Sequence, residues 1–315
     1  MTPGLMLSLL LSQTPVPDIH YTAATVEEGE QRTLESYSFT EWEPSEMKEP
    51  LYVGVDEANL RQTASAEGAV VATLPLGAAV RVLEKGKERL KVGEYVNHWY
   101  SVEYVDAKGT ADAADDVVSK GWLFGNTLTP FRFEEDFDGD GEKEVATVVM
   151  SGDFKIRVRV LEPNVKPPRR VSSVDVSPSG EGYLSVSGGR AEVKLVPAKK
   201  AGVVLLQVDS MPEACADFST TYVSYTGQGK KKGVLGKAKV ALGLVGLSDP
   251  PNSSKFKVSF HAGKKQATVV RTTVDDVDEE TGKEQTTKEQ TRYQLNDGVY
   301  SAVKPAGSSV AESKP

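Results

Sequence analysis

Residues 136–144 read DFDGDGEKE, the stretch of this 315-residue chain richest in groups able to do chemistry. Asp136, Asp138 and Asp140 alternate, Gly139 and Gly141 allow the backbone to turn sharply, and Glu144 follows at the ninth position. Carboxylates crowded into a tight turn suit a hard cation such as calcium, which takes about six to eight oxygen ligands. The same residues also make an acidic turn closed by aspartate-to-backbone hydrogen bonds, which requires no metal, so both readings stand at this level. A helix-flanked calcium loop is excluded: its twelfth position demands Glu where Thr147 stands, and a strand pattern follows instead of a helix.

Other reactive constellations are missing. The single cysteine, Cys215, rules out an internal disulfide and reads as a small buried residue, while His20, His98 and His261 lie far apart in sequence. The chain has no nucleophile elbow, zinc pair or phosphate loop. A glycosidase needs its two carboxylates on opposite sides of a substrate, whereas these acids share one turn. The expectation is a non-catalytic protein. With 45 acids against 37 bases and a formal net charge of −8, non-specific attraction to nucleic acid is also excluded.

The elements that must position these residues are strands. Leu5 to Leu11 form an apolar run too short to span a bilayer but of the length found in a secretory signal, so 1–17 is expected to direct export to a secreted or periplasmic location. No cysteine follows that could carry a lipid, and no transmembrane segment is expected. Residues 18–50 are acid-rich and read as a linker or strap, pinned through Tyr37, Phe39 or Trp42. From Leu51 to 130, short alternating runs such as LYVGV, AVVATL and HWYSVEYV predict a small barrel. From 131 to 304, runs such as EVATVVM, KIRVRVLE, GYLSVSG, GVVLLQVD and KFKVSFHA predict a larger β-unit, and 305–315 reads as a disordered tail. The fold class is all-β: a small barrel, then a blade-like sheet or sandwich.

Within the first unit, Asn59, Leu60 and Arg61, then a glycine-led strand from Gly77 to Val82, then Trp99 to Val102, then Gly121 and Trp122 occur in an order that resembles the bacterial SH3 domain. The resemblance covers about 51–130; it departs from the family in a long acidic insertion at 106–116. It implies a module that binds cell-wall peptidoglycan or a peptide. Trp99 and Trp122 read as barrel core, which sends the neighbouring Tyr100 outward, and Tyr52, Arg61, Tyr100 and Asn126 become the candidate ligand contacts.

The acidic stretch is similar to the D-x-D-G-D-G-x-x-[DE] loop of FG-GAP and VCBS-type propeller repeats, which likewise precedes a strand. That resemblance implies calcium held by Asp136, Asp138, Asp140, Glu144 and the Glu142 carbonyl. A propeller needs several copies and this chain has one, so a single blade-like sheet is expected. The competing role is an envelope scaffold, stiffened by calcium, that meets a partner protein. The second acidic run, 275–284, has irregular spacing and reads as an exposed hairpin tip, and Asn296-Asp297-Gly298 as a hairpin turn.

Overall fold

Alternation with a period of two buries one face of each strand, and in the computed structural model it yields an almost wholly β protein. The structure describes residues 24–25, 42–47, 49–93, 95–106, 117–151, 155–166, 170–176, 192–209, 216–227, 231–249, 252–277, 281 and 283–303. The expected signal segment, the C-terminal tail, Tyr37, Phe39, Cys215, the tip of the 106–116 insertion and the GYLSVSG run lie outside the described residues.

The first sheet holds β1 (Ala24–Thr25), β2 (Leu51–Val53), β3 (Glu57–Arg61), β4 (Val70–Pro75), β5 (Ala79–Val92), β6 (Tyr95–Asp106), β7 (Val117–Phe124) and β8 (Leu128–Thr129). Their order is β4-β3-β7-β6-β5-β2-β8, with β1 added beside β5. Leu74 from one end of that order and Leu128 from the other enter the same buried cluster with Leu60, Val80, Val102 and Leu123, so the sheet curls around one core. Antiparallel pairing of Arg61 with Trp122 makes the β3–β7 seam.

A four-stranded antiparallel meander follows: β9 (Arg132–Glu135), β10 (Glu144–Ser151), β11 (Lys155–Leu161) and β12 (Val171–Val176), in the order β12-β11-β10-β9. The third sheet runs in chain order through β13 (Glu192–Val196), β14 (Leu205–Asp209), β15 (Ala216–Thr226), β16 (Lys237–Asp249), β17 (Asn252–His261), β18 (Gln266–Val277), β19 (Glu284–Asn296) and β20 (Val299–Ala302).

These two sheets pack face to face. Ala146 and Val148 of β10 and Ile156, Val158 and Val160 of β11 share a cluster with Leu206, Val208, Val223 and Tyr225 of β14 and β15. On the opposite face of β14 and β15, Leu205 and Tyr222 join Ala267 and Val269 of β18 and Tyr300 of β20, so the third sheet folds back over itself. β14 and β15 are therefore covered on both faces, which is why Val204, Leu205 and Leu206 are buried in succession instead of alternating. Burying each such side chain stabilises by about 1.5–3 kcal/mol.

Polar ties bind the first sheet to the second: Thr129 donates to the Val148 carbonyl at 2.6 Å, Thr147 to the Gly54 carbonyl at 3.1 Å, and Arg159 Nε to Asp56 at 2.9 Å. Among the described residues no helix is long and apolar enough to cross a membrane.

Candidate metal centre

Glu135 pairs with Glu144 across β9 and β10, so residues 136–143 are the loop of that hairpin. The loop is cinched by its own aspartates. Asp136 accepts from the Gly139 N–H at 2.8 Å through one oxygen and from the Gly141 N–H at 3.1 Å through the other. Asp138 accepts from the Asp140 N–H at 3.1 Å, and Asp140 from the Glu142 N–H at 2.7 Å. Gly139 and Gly141 sit at φ 78° and 90°, a region where a side chain would strain the backbone. Phe137 anchors the loop by burying its ring in the core between the two sheets while its N–H donates to Glu144 Oε2 at 2.7 Å.

This folding brings carboxylate oxygens of Asp136, Asp138 and Glu144 within 4.8 Å of one another. Glu144 is fully buried at 0 % exposure, and its Oε1 meets no hydrogen-bond donor; the second oxygens of Asp138 and Asp140 are buried and unpartnered as well. Burial pushes the Glu144 carboxyl up to about 8 against the pull of the Phe137 N–H, and the nearby Glu162, Asp138 and Asp136 charges push the same way. Asp138 is raised too, first by burial and then by Asp140. A buried carboxylate oxygen without a donor costs free energy that a divalent cation in the middle of the cluster would offset. The donor set is all oxygen, which suits a hard ion and not a soft one.

Of the expected ligands, then, Asp136, Asp138 and Glu144 converge. Asp140 has one buried, unpartnered oxygen; at Glu142 the expected ligand is the carbonyl, and the side chain accepts from the Gly233 N–H at 3.1 Å. Sequence reasoning missed Glu162. It is also 0 % exposed with an unpartnered Oε1, and burial raises its carboxyl, to which Asp138, Asp140 and Glu142 add. Its signal was available: Ile156, Val158 and Val160 point inward, and the same period continued by two residues puts Glu162 on the buried face.

The barrel candidates fall differently. Tyr100 does not face outward: it is 0 % exposed in the core of the first sheet, and its hydroxyl accepts from the Trp42 N–H at 3.1 Å. Trp99 is buried as well, packed on Phe124 in a separate small cluster, so both faces of β6 are covered here and alternation no longer separates inside from outside. Asn126 is likewise buried, accepting from Asn97 Nδ2 at 2.8 Å. Arg61 is half-buried and donates to the Gly68 carbonyl at 2.7 Å, closing the β3–β4 hairpin. Tyr52 is half-buried with the Arg132 guanidinium 5.8 Å from its ring centre. Two of the four, Tyr100 and Asn126, are thus enclosed, and Tyr52 and Arg61 are half-buried. Compared with known proteins, the chain matches no family model, no curated protein and no solved structure.

Proposed function

We propose that this is a non-catalytic binding protein, secreted or periplasmic, whose second β-unit is organised around a calcium-class cation and serves as an envelope scaffold or protein-interaction surface. The observation that carries the reading is the buried, unpartnered Glu144 Oε1 facing a cluster completed by Asp136 and Asp138. Asp140 and Glu162 carry further buried, unpartnered oxygens, and their charges act on Asp138 and Glu144. A carboxyl raised to about 8 is also what a general acid needs, but Glu144 is 0 % exposed, which supports a structural use of the charge. Calorimetric titration of the chelator-treated chain with calcium tests the reading: saturable binding supports it, and no heat at millimolar calcium sinks it.

A second reading concerns the first sheet as a module for peptidoglycan or peptide, as its resemblance to bacterial SH3 domains implies. Its support is the edge strand β4, whose outer side pairs with no strand among the described residues and which exposes Val70 and Val71 by about half. An extended peptide can add to such an edge. Co-sedimentation of the chain with isolated sacculi, repeated with Val71→Lys, decides it: pelleting that the substitution abolishes supports the module, and no pelleting of the parent chain removes it.

A further inference from the structure

A cleft of about 290 Å³ opens beside the acidic loop, between it and the β19–β20 turn. Asp138 belongs to both the carboxylate cluster and the wall of this cleft, where Thr226, Lys265, Asn296 and Asp297 are among the polar residues and Val203 and Leu295 supply part of the apolar surface. The two non-glycine residues at positive φ among those described, Lys265 at 50° and Asp297 at 45°, both line it. Asp297 is at home in a tight hairpin turn, but lysine is poorly suited to a left-handed position that glycine fills without strain. Strain of this kind gathers where a side chain is needed in place. The Lys265 carbonyl is pinned by the Leu295 N–H at 2.7 Å and by Gln294 at 3.0 Å, while its ammonium pairs with no described residue.

The lining narrows the ligand. An anion would meet Asp138 and the field of the acidic loop, Asp297 being paired with Lys239; an amine would meet Lys265 and any cation held by the loop. Asp297 keeps its ion pair with Lys239 at 2.6 Å and Lys265 and Asn296 are exposed, but a wholly apolar guest would strip water from the half-buried Asp138 carboxylate in the wall. A neutral polyhydroxylated ring fits: its hydroxyls donate to the carboxylates and accept from the lysine, and its carbon-bound hydrogens cover the apolar part. The volume is at the small end of ligand pockets, which run from about 300 Å³ upward.

We infer that this cleft binds a neutral saccharide unit, and that binding depends on the cation, because the cation fixes Asp138 in the shared wall. The inference rests on the cation reading above. The test is saturation-transfer NMR on the whole chain with methyl mannoside and N-acetylglucosamine as probes, glucuronate and glucosamine as charged comparators, and calcium or chelator present.

The expected result is transfer to a neutral sugar in calcium, at least tenfold weaker in chelator, and lost in Lys265→Gly and Asp297→Asn. Both substitutions suit left-handed backbone, so the melting temperature and calcium titration of each variant should match the parent. Calcium binding without transfer to either neutral sugar overturns the cleft inference and leaves the cation reading intact. Transfer that persists in Lys265→Gly and Asp297→Asn, or that is equal in chelator, overturns it as well. Absence of calcium binding removes the cation reading, and the dependence inferred here falls with it.

Discussion

The Tyr225 hydroxyl donates to Glu162 Oε2 at 3.1 Å and accepts from the Gly236 N–H at 2.6 Å, so one phenol joins the four-stranded sheet to the eight-stranded sheet beside the acidic loop. The ring is in the shared core and the hydroxyl is its only polar end. Tyr225→Phe keeps the packing and strands both partners in the interior. A loss of about 1–3 kcal/mol is expected, read from urea unfolding. A change indistinguishable from zero would mean that water reaches this contact.

Calcium should raise the melting temperature of the parent chain and leave Glu144→Gln and Asp138→Asn unmoved. At a hundredfold excess over the dissociation constant the stabilisation is about 2.7 kcal/mol. In chelator, Glu144→Gln should melt no lower than the parent, because it removes a buried carboxylate that lacks a full set of donors. Equal calcium shifts in all three proteins would place the ion elsewhere.

The pH profile of the cation-free protein follows from Glu144. Its carboxyl lies at about 8 in the folded chain against an ordinary 4.5, so the folded state holds the proton more tightly than the unfolded state does. The stability this contributes is complete below about 4.5 and is lost as pH rises through about 8. Asp138 and Glu162 are raised and act with the same sign. Thermal melts in chelator should therefore fall across that window, and Glu144→Gln or added calcium should flatten the fall. A melting temperature that rises with pH over this range would contradict the assignment.

Gly227 tests how tightly Asp138 is held. A Cβ at this position would lie 1.9 Å from Asp138 Oδ2, so Gly227→Ala must displace the carboxylate or the strand end. Overpacking of this sort costs about 1–3 kcal/mol. Cation affinity should fall with it, measured by calorimetric titration, although residue 227 is not itself a ligand.

In the first sheet, Tyr100→Phe should cost about 1 kcal/mol through the lost bond to Trp42, and Tyr100→Ala about 3–5 kcal/mol through the cavity. Denaturant unfolding measures both. Neither should change calcium binding, since Tyr100 is in a core separate from the acidic loop.

Tyr100 also shows where reading by alternation stops. Period two is informative when one strand face meets solvent, and most of the strands were legible on that basis. On β6 both Trp99 and Tyr100 are enclosed, and on β14 both Leu205 and Leu206, so the pattern carries no direction there. The acidic loop was legible because Asp136, Asp138, Asp140 and Glu144 lie within nine residues. Glu162 follows β11 and comes within electrostatic range of Glu144 and Asp138 only through sheet pairing. The cleft was not legible, because Asp138, Lys265 and Asp297 are assembled from segments far apart in sequence.

The Arg61–Trp122 pairing has a consequence for the order of events in time. Every pairing in the second and third sheets joins strands adjacent in sequence, so each can form by closing a short loop. The β3–β7 seam instead brings together two residues about sixty positions apart, and closing so long a loop is slow. All three tryptophans, Trp42, Trp99 and Trp122, belong to this first sheet or pack on it, and Trp122 is on the seam itself. Indole emission during refolding therefore clocks the closure of the seam, while far-ultraviolet dichroism follows the meanders, and the first signal should lag the second.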